Sequence, residues 1–341
     1  MSRHEKIAHL QEFPPETAQP NIYPLSWPTG TMKMEEIYQA AQKELWDPAQ
    51  LPWRDFKPEH YSWEEREAIG YWWTLLSVFD ASAPPVFASA LIKAYSDHEE
   101  DVVRRCFMSI TRDEGIHEQM CRRSIEAMLG HNDPLTYEPR TELGKRLQKN
   151  VRWLFYNGGR YWEGFQVALP QYNLAVLFSS FLMGEIAAAT IFHQLATACT
   201  EPVFQDAFRK IGRDEGRHMG ICLTLMERDY PKLAKEDHAL ITKQIRAGYL
   251  FLSCVLFEPP ADFWDLPEDF IRNQREAEEI CRKAGFGVPE YEAKKRNWRR
   301  AMLNLKSVLD RYDIPFPAIP EVDISGQEVT DVDISDIVPV F

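Results

Sequence analysis

Two glutamate–histidine pairs stand out among the residues able to do chemistry. Arg112-Asp113-Glu114-Gly115-Ile116-His117 recurs as Arg213-Asp214-Glu215-Gly216-Arg217-His218. Each copy holds a Glu-x-x-His pair, and a three-residue spacing on a helix sends both side chains off one face. A single pair often sits on a solvated helix face. Two pairs inside apolar helical segments are another matter, because buried Glu and His are costly without partners. Asp80 lies 34 residues before Glu114, and Glu185 lies 30 residues before Glu215. Each separation fits one helix, a tight turn and the return along an antiparallel neighbour. Each half then supplies one acid from its first helix and a Glu-x-x-His pair from its second, the ligand set of a four-helix bundle that holds two metal ions.

The residue types suit that chemistry. Carboxylate oxygens and imidazole nitrogens together suit iron, with manganese as an alternative in one position. Four carboxylates neutralise two divalent ions, so the group can be buried without a large unpaired charge. A metal-bound histidine needs an acceptor for its other ring nitrogen. Asp113 and Asp214 are expected to serve crosswise, Asp113 to His218 and Asp214 to His117. Asp80 has one competing role, as a capping residue near Pro84. Glu163, 52 residues before Glu215, is the alternative to Glu185. His193 reads as a core histidine and Tyr71-Trp72-Trp73 as core. Ile116, Cys121, Phe181 and Met183 are expected to line a substrate pocket, and no catalytic group beyond the metal ligands is assigned.

The elements that must position these residues are helical. Helices are expected over 32–46, from an N-cap at Ser62 toward Tyr95 with a disturbance at Pro84-Pro85, over 99–129 and over 141–156, the last stopped by Gly158-Gly159. Further helices are expected over 172–198, 202–228, 235–257, 268–285 and 291–311. Ser62 with Glu65 three residues later forms a capping-box pattern. The expected architecture is all-α, a four-helix bundle with additional flanking helices. Residues 1–30 read as an extended arm rich in proline, 31–312 as one helical metal-binding domain, and 313–341 as a flexible acidic tail.

Composition bounds the rest. Of 341 residues, 45% are hydrophobic and 12% aromatic, enough for a sizeable core. A net charge of -13 argues against nucleic acid or an anionic membrane as partner. The six cysteines are dispersed, with no CxxC pair, and read as reduced structural thiols. The N-terminus has no apolar stretch of the signal-peptide type, and a cytoplasmic location is expected. Residues 173–192 are long and apolar enough to cross a bilayer. Glu185 within them and the lack of a comparable second stretch favour the centre of a bundle instead.

The chain resembles the ferritin-like di-iron carboxylate proteins, and within them those similar to the small subunit of class I ribonucleotide reductase. The resemblance covers residues 35 to 230 and rests on Leu45-Trp46-Asp47-Pro48, Phe79-Asp80, Ile110-Thr111 with the first motif, and the second motif. It implies an O2-activating oxidase or oxygenase with two iron ions, or Mn/Fe, a small organic substrate open to hydroxylation or N-oxygenation, and a homodimer. Radical-storing relatives carry a Tyr four residues after the first motif histidine, where this chain has Cys121. Arylamine N-oxygenases have similar spacings but an additional His one turn before the second motif, where this chain has Ile211. No cysteine set for an iron–sulfur cluster and no dinucleotide-binding glycine motif is present, so electrons are expected from a reductase or ferredoxin. The alternatives are a radical-generating subunit that docks through its acidic tail, and a non-enzymatic metal-binding bundle.

Overall fold

The computed structural model describes residues 32–168, 173–260 and 266–329, with side chains from Arg160 to Ala168 left aside. Among them nine α-helices are found: α1 (Met32–Lys43), α2 (Trp63–Ser96), α3 (Asp101–Leu129), α4 (Glu142–Ala168), α5 (Leu174–Ala198), α6 (Pro202–Asp229), α7 (Lys235–Leu256), α8 (Phe270–Lys283) and α9 (Tyr291–Asp310). The described residues contain no strand, only isolated bridges at Pro317–Gln327 and Ile319–Ile324.

Two helical hairpins form the centre. The short link between α2 and α3 folds them back on each other, as does the link between α5 and α6, and these are the two most extensively packed pairs. The hairpins meet through α3 against α6 and α2 against α5. α1 lies across α3 and α6, α4 rests on α2 and α8, and α7 and α9 cover α5. Local chemistry explains the boundaries. Ser62 and Glu65 form the reciprocal capping box that starts α2, Ser62 N donating to Glu65 Oε2 at 2.7 Å and Glu65 N to Ser62 Oγ at 3.3 Å. Asn173 caps α5 by accepting from the Ala175 amide at 3.1 Å. Gly130 ends α3 with φ of 69°, a left-handed conformation that a residue with a Cβ adopts only at a cost.

One expectation, the helix running from Ser62 toward Tyr95, is met, and two are corrected. Pro84 and Pro85 lie inside α2, which continues to Ser96. They remove amides that would bond carbonyls one turn earlier, and the surrounding packing carries the helix across. α4 does not stop at Gly158-Gly159 but runs on to Ala168. Glycine in a helix costs only about 1 kcal/mol, and Gly158 faces Val78 of α2, close enough that a Cβ there would touch it at 3.5 Å. The segment after residue 313 is not free in its first part. Ile314, Phe316, Ile319, Val322 and Ile324 are buried. Arg246 of α7 grips Glu321 through two bonds of 2.8 Å, and Thr242 Oγ1 donates to Pro315 O at 2.6 Å. Residues 330–341, and the arm over 1–30, lie outside the described residues.

Among the described residues three helices are long and apolar enough to cross a membrane: α2, α5 and α7. The sequence drew attention to α5 alone. In α5 and α7, 78% of the apolar window is buried in the fold. Trp73 stacks on Phe208 at 5.1 Å between ring centroids and meets Phe204 and Phe286, so α2, α6 and the segment after α8 share one aromatic core.

Glu67 ties the outer helix to this core. Its buried carboxylate accepts from Tyr137 Oη at 2.8 Å, from the Arg140 amide at 2.5 Å, from the Thr141 amide at 3.1 Å and from the Thr141 hydroxyl. These donors surround the N-terminus of α4, where negative charge is favoured. Glu67→Ala would orphan them together. It is expected to lower unfolding stability by roughly 3 kcal/mol, read by urea denaturation, and a loss within 0.5 kcal/mol, about that of an ordinary surface change, would contradict this role.

Candidate metal centre

The four central helices bring six side chains to one point. α2 supplies Asp80, α3 Glu114 and His117, α5 Glu185, and α6 Glu215 and His218. One ligand atom each from Glu114, Glu185, Glu215 and His218 falls within a 4.8 Å group, and Asp80, Glu114 and His117 form a second such group. Glu114 belongs to both. All six are buried, with Asp80, His117 and Glu215 at 0% exposure.

The two motif glutamates span the two histidines. Glu114 presents Oε2 to His117 Nδ1 at 3.4 Å and Oε1 to His218 Nδ1 at 3.2 Å. Glu215 presents Oε1 to His117 Nδ1 at 3.4 Å and Oε2 to His218 Nδ1 at 3.3 Å. Asp80 and Glu185 close the ends, with Glu185 Oε2 3.2 Å from His218 Nδ1. The symmetry follows from the sequence duplication: the same helix register places an equivalent Glu and His on α3 and α6.

Several of these buried atoms have no hydrogen-bond partner among the described residues. They are Asp80 Oδ1, Glu114 Oε2, both Glu215 oxygens and His117 Nδ1. Buried polar groups are nearly always satisfied, so a convergent set of orphans calls for a missing partner. Hard oxygens with two imidazoles fit a pair of first-row divalent cations.

The electrostatics carry the same message. Burial pushes the Asp80 carboxyl well above the usual range, outweighing the pull of His117. Burial, then the charges of Glu114 and Glu185, do the same to Glu215. Burial would also raise Glu114, but the two histidines beside it outweigh that and hold the carboxyl at about 2. For His117 burial favours the neutral ring, yet the bond to Asp214 and the nearby Glu114 carboxylate win and raise it well above the usual imidazole range. His218 is raised likewise, by Glu185, Asp113 and Glu114 against burial.

The outward-facing ring nitrogens meet the two aspartates unequally. His117 Nε2 lies 3.2 Å from Asp214 Oδ2, which also accepts the Trp46 indole N–H at 2.8 Å. His218 Nε2 lies 3.6 Å from Asp113 Oδ2, beyond a hydrogen bond. Arg112 draws Asp113 aside through bonds of 2.7 and 3.0 Å to Oδ1. Arg217 contributes too: its guanidinium bonds Asp214, approaches Asp113 Oδ2 at 3.5 Å and donates to Glu44 at 2.6 Å. Sequence reasoning missed Arg217, Arg112 and Trp46 as site residues. The recurrence of arginine before both Asp-Glu pairs was a usable signal for Arg112, and the three-residue spacing from Asp214 one for Arg217; the Trp46 contact comes from the folding of the segment after α1 onto α6 and had none.

The residues expected around a substrate pocket are dispersed. The Cys121 thiol donates to Asp80 Oδ2 at 3.1 Å, within the cluster. Phe181 packs on Phe87 with ring centroids 5.0 Å apart. Ile116 is half-buried against the core. Met183 does not face the cluster: its methyl lies against Gly248 of α7, because two residues along a helix from Glu185 is nearly the opposite side. His193 is exposed and lines a surface cavity of about 460 Å³ with Arg282 and Asn297, apart from the cluster. The side chain of Glu163 lies outside the described residues.

No protein-family model matches the chain, and no curated protein matches it by sequence. Solved structures do match. An R2-like ligand-binding oxidase with aerobically reconstituted Mn/Fe cofactor is 13% identical, with a TM-score of 0.51 over 84% of this chain and 94% of that one. A point mutant of an R2-like ligand-binding oxidase with an anaerobically reconstituted Mn/Fe cofactor gives 0.52 at 13% identity, over 84% and 94%. Another mutant, with an aerobically reconstituted Fe/Fe cofactor, gives 0.51 at 13%, over 84% and 95%. The fold is the all-α, ferritin-like fold of these R2-like proteins.

Two outcomes are expected of the cluster. Glu114→Ala or Glu215→Ala removes a carboxylate shared by both histidines and should abolish binding of a metal pair, counted by metal analysis after dialysis; full occupancy in either variant would sink the assignment. The neighbouring carboxylates raise both histidine pKa values and so favour the protonated rings without metal, whereas a metal requires the neutral ring. Metal affinity should therefore climb as pH rises, and loading near neutral pH should release protons, measurable in weakly buffered solution. Loading without proton release would remove the histidines from the ligand set.

Proposed function

We propose that this protein is an O2-activating di-metal oxidase acting on a small organic substrate, with two iron ions or a Mn/Fe pair held by Asp80, Glu114, His117, Glu185, Glu215 and His218. The observation that carries the reading is the pair of buried glutamates, each with one oxygen toward either histidine, amid carboxylate atoms that no donor among the described residues satisfies. The R2-like oxidases of the same fold carry Mn/Fe or Fe/Fe cofactors, which supports the choice of metals.

When bound, the metal pair supplies the electrons and the coordination that make O2 reactive toward an organic substrate. The chain does the rest. Asp214 accepts the Nε2 proton of His117, which fixes the tautomer and turns Nδ1 inward. Trp46 and Arg217 hold Asp214 in place and keep it ionised. Glu114 and Glu215 set the spacing of the two positions. The packed helices exclude bulk water, so each charge interaction is stronger than it would be in solution. Electrons for each turnover come from a separate reductase or ferredoxin. Hydroxylation is the favoured outcome over N-oxygenation, since Ile211, one turn before Glu215, is buried and apolar and adds no ligand.

The test is an anaerobic ferrous titration followed by admission of O2. Two ions per chain and rapid O2 uptake are expected. Two ions without O2 uptake would favour the metal-binding bundle, and no bound ion would end the oxidase reading.

A further inference from the structure

The hydrogen bond between Cys121 and Asp80 divides the two oxygens of that carboxylate between different tasks. Oδ2 accepts from the Cys121 thiol at 3.1 Å. Oδ1 is buried and has no hydrogen-bond partner among the described residues, and Asp80 groups with Glu114 and His117 as a possible metal-binding set. A carboxylate with two equivalent free oxygens can turn about its bond or bind through both atoms. One whose second oxygen is held by a neighbour presents a single atom.

We propose that Cys121 is a positioning residue: its thiol holds Oδ2 of Asp80, so that Asp80 engages a metal ion through Oδ1 alone. The inference rests on the di-metal reading of the cluster. It concerns one of the two ion positions, the one formed with His117. Cys121 sits four residues after His117, one turn along α3, with its side chain on the ligand-bearing face. It is 0% exposed, so no water competes for Oδ2. A metal-bound carboxylate is ionised and accepts; the thiol, with one proton, donates.

The duplicated half of the chain supplies an internal control. Cys222 stands four residues after His218, as Cys121 does after His117, and is equally buried. Among the described residues its thiol makes no hydrogen bond to a carboxylate. Glu185, the counterpart of Asp80, has Oε2 3.2 Å from His218 instead. The same residue type at the same register thus has a partner on one side only.

The experiment compares wild type with Cys121→Ala, Cys121→Val, Cys121→Ser and Cys222→Ala, by anaerobic ferrous titration and by Mössbauer spectroscopy of the loaded proteins. Cys121→Ala and the slightly larger, equally donor-free Cys121→Val should weaken one of the two ions by about 10–100-fold, as loss of a partner to a ligand does, and change the spectrum of that ion only. Cys121→Ser keeps a donor and should restore both. Cys222→Ala should match wild type. If Cys121→Ala fails to fold, as its melting curve would show, Cys121→Val carries the comparison. Two ions bound by the Ala or Val variant with unchanged affinity and spectrum would overturn the positioning role while leaving the di-metal site intact. Failure of wild type to bind a pair would overturn both.

Discussion

Four carboxylates and two imidazoles packed together without water constrain the whole molecule. An isolated carboxylate inside a protein costs several kcal/mol, and like charges nearby raise the cost. The fold accepts this by setting the group between two largely apolar helices, α2 and α5, and the buried faces of the amphipathic α3 and α6, so the hydrophobic core holds the ligands in register. Glu185 is the single acid of α5, and Asp80 the single acid of α2 beyond Glu67. Their placement makes sense only when the neighbouring hairpin returns a Glu-x-x-His pair to meet them. The aromatic packing of Trp73 with Phe204, Phe208 and Phe286 serves the same end, fixing α2 against α6 far from the cluster.

The supporting network extends outward from there. Each histidine must keep one nitrogen inward, which requires an acceptor outside it, and each acceptor is itself a buried acid in need of cations. Arg112, Arg213 and Arg217 meet that need, and Glu44 at the end of α1 meets Arg217 and Arg213 in turn. Charge alternates from the centre to the surface, and α1 is fastened across α3 and α6 as a result.

Legibility in the sequence follows the range of the interaction. The helix hairpins could be read because their spacing and caps are local: Ser62 with Glu65, Gly130, and the two motif pairs all act within a few residues. The six residues of the cluster could be picked out because acids and histidines in apolar helices have few alternatives. α4 was misjudged at Gly158-Gly159 since tertiary support from α2 outweighs a small intrinsic penalty. The packing of residues 314–324 escaped notice because its partners, Thr242 and Arg246, lie some seventy residues earlier. Trp46 became visible as a site residue only once the segment after α1 had been laid against α6.

The duplicated motif differs at its fifth position, Ile116 in the first copy and Arg217 in the second. That difference gives an otherwise two-fold arrangement a direction. On the α6 side a guanidinium joins both outer aspartates and continues to Glu44, which is partly exposed. On the α3 side the same register offers a hydrocarbon chain against the core. The centre thus has a polarisable flank and a dry one, and its two histidines, equal in sequence, sit in unequal fields.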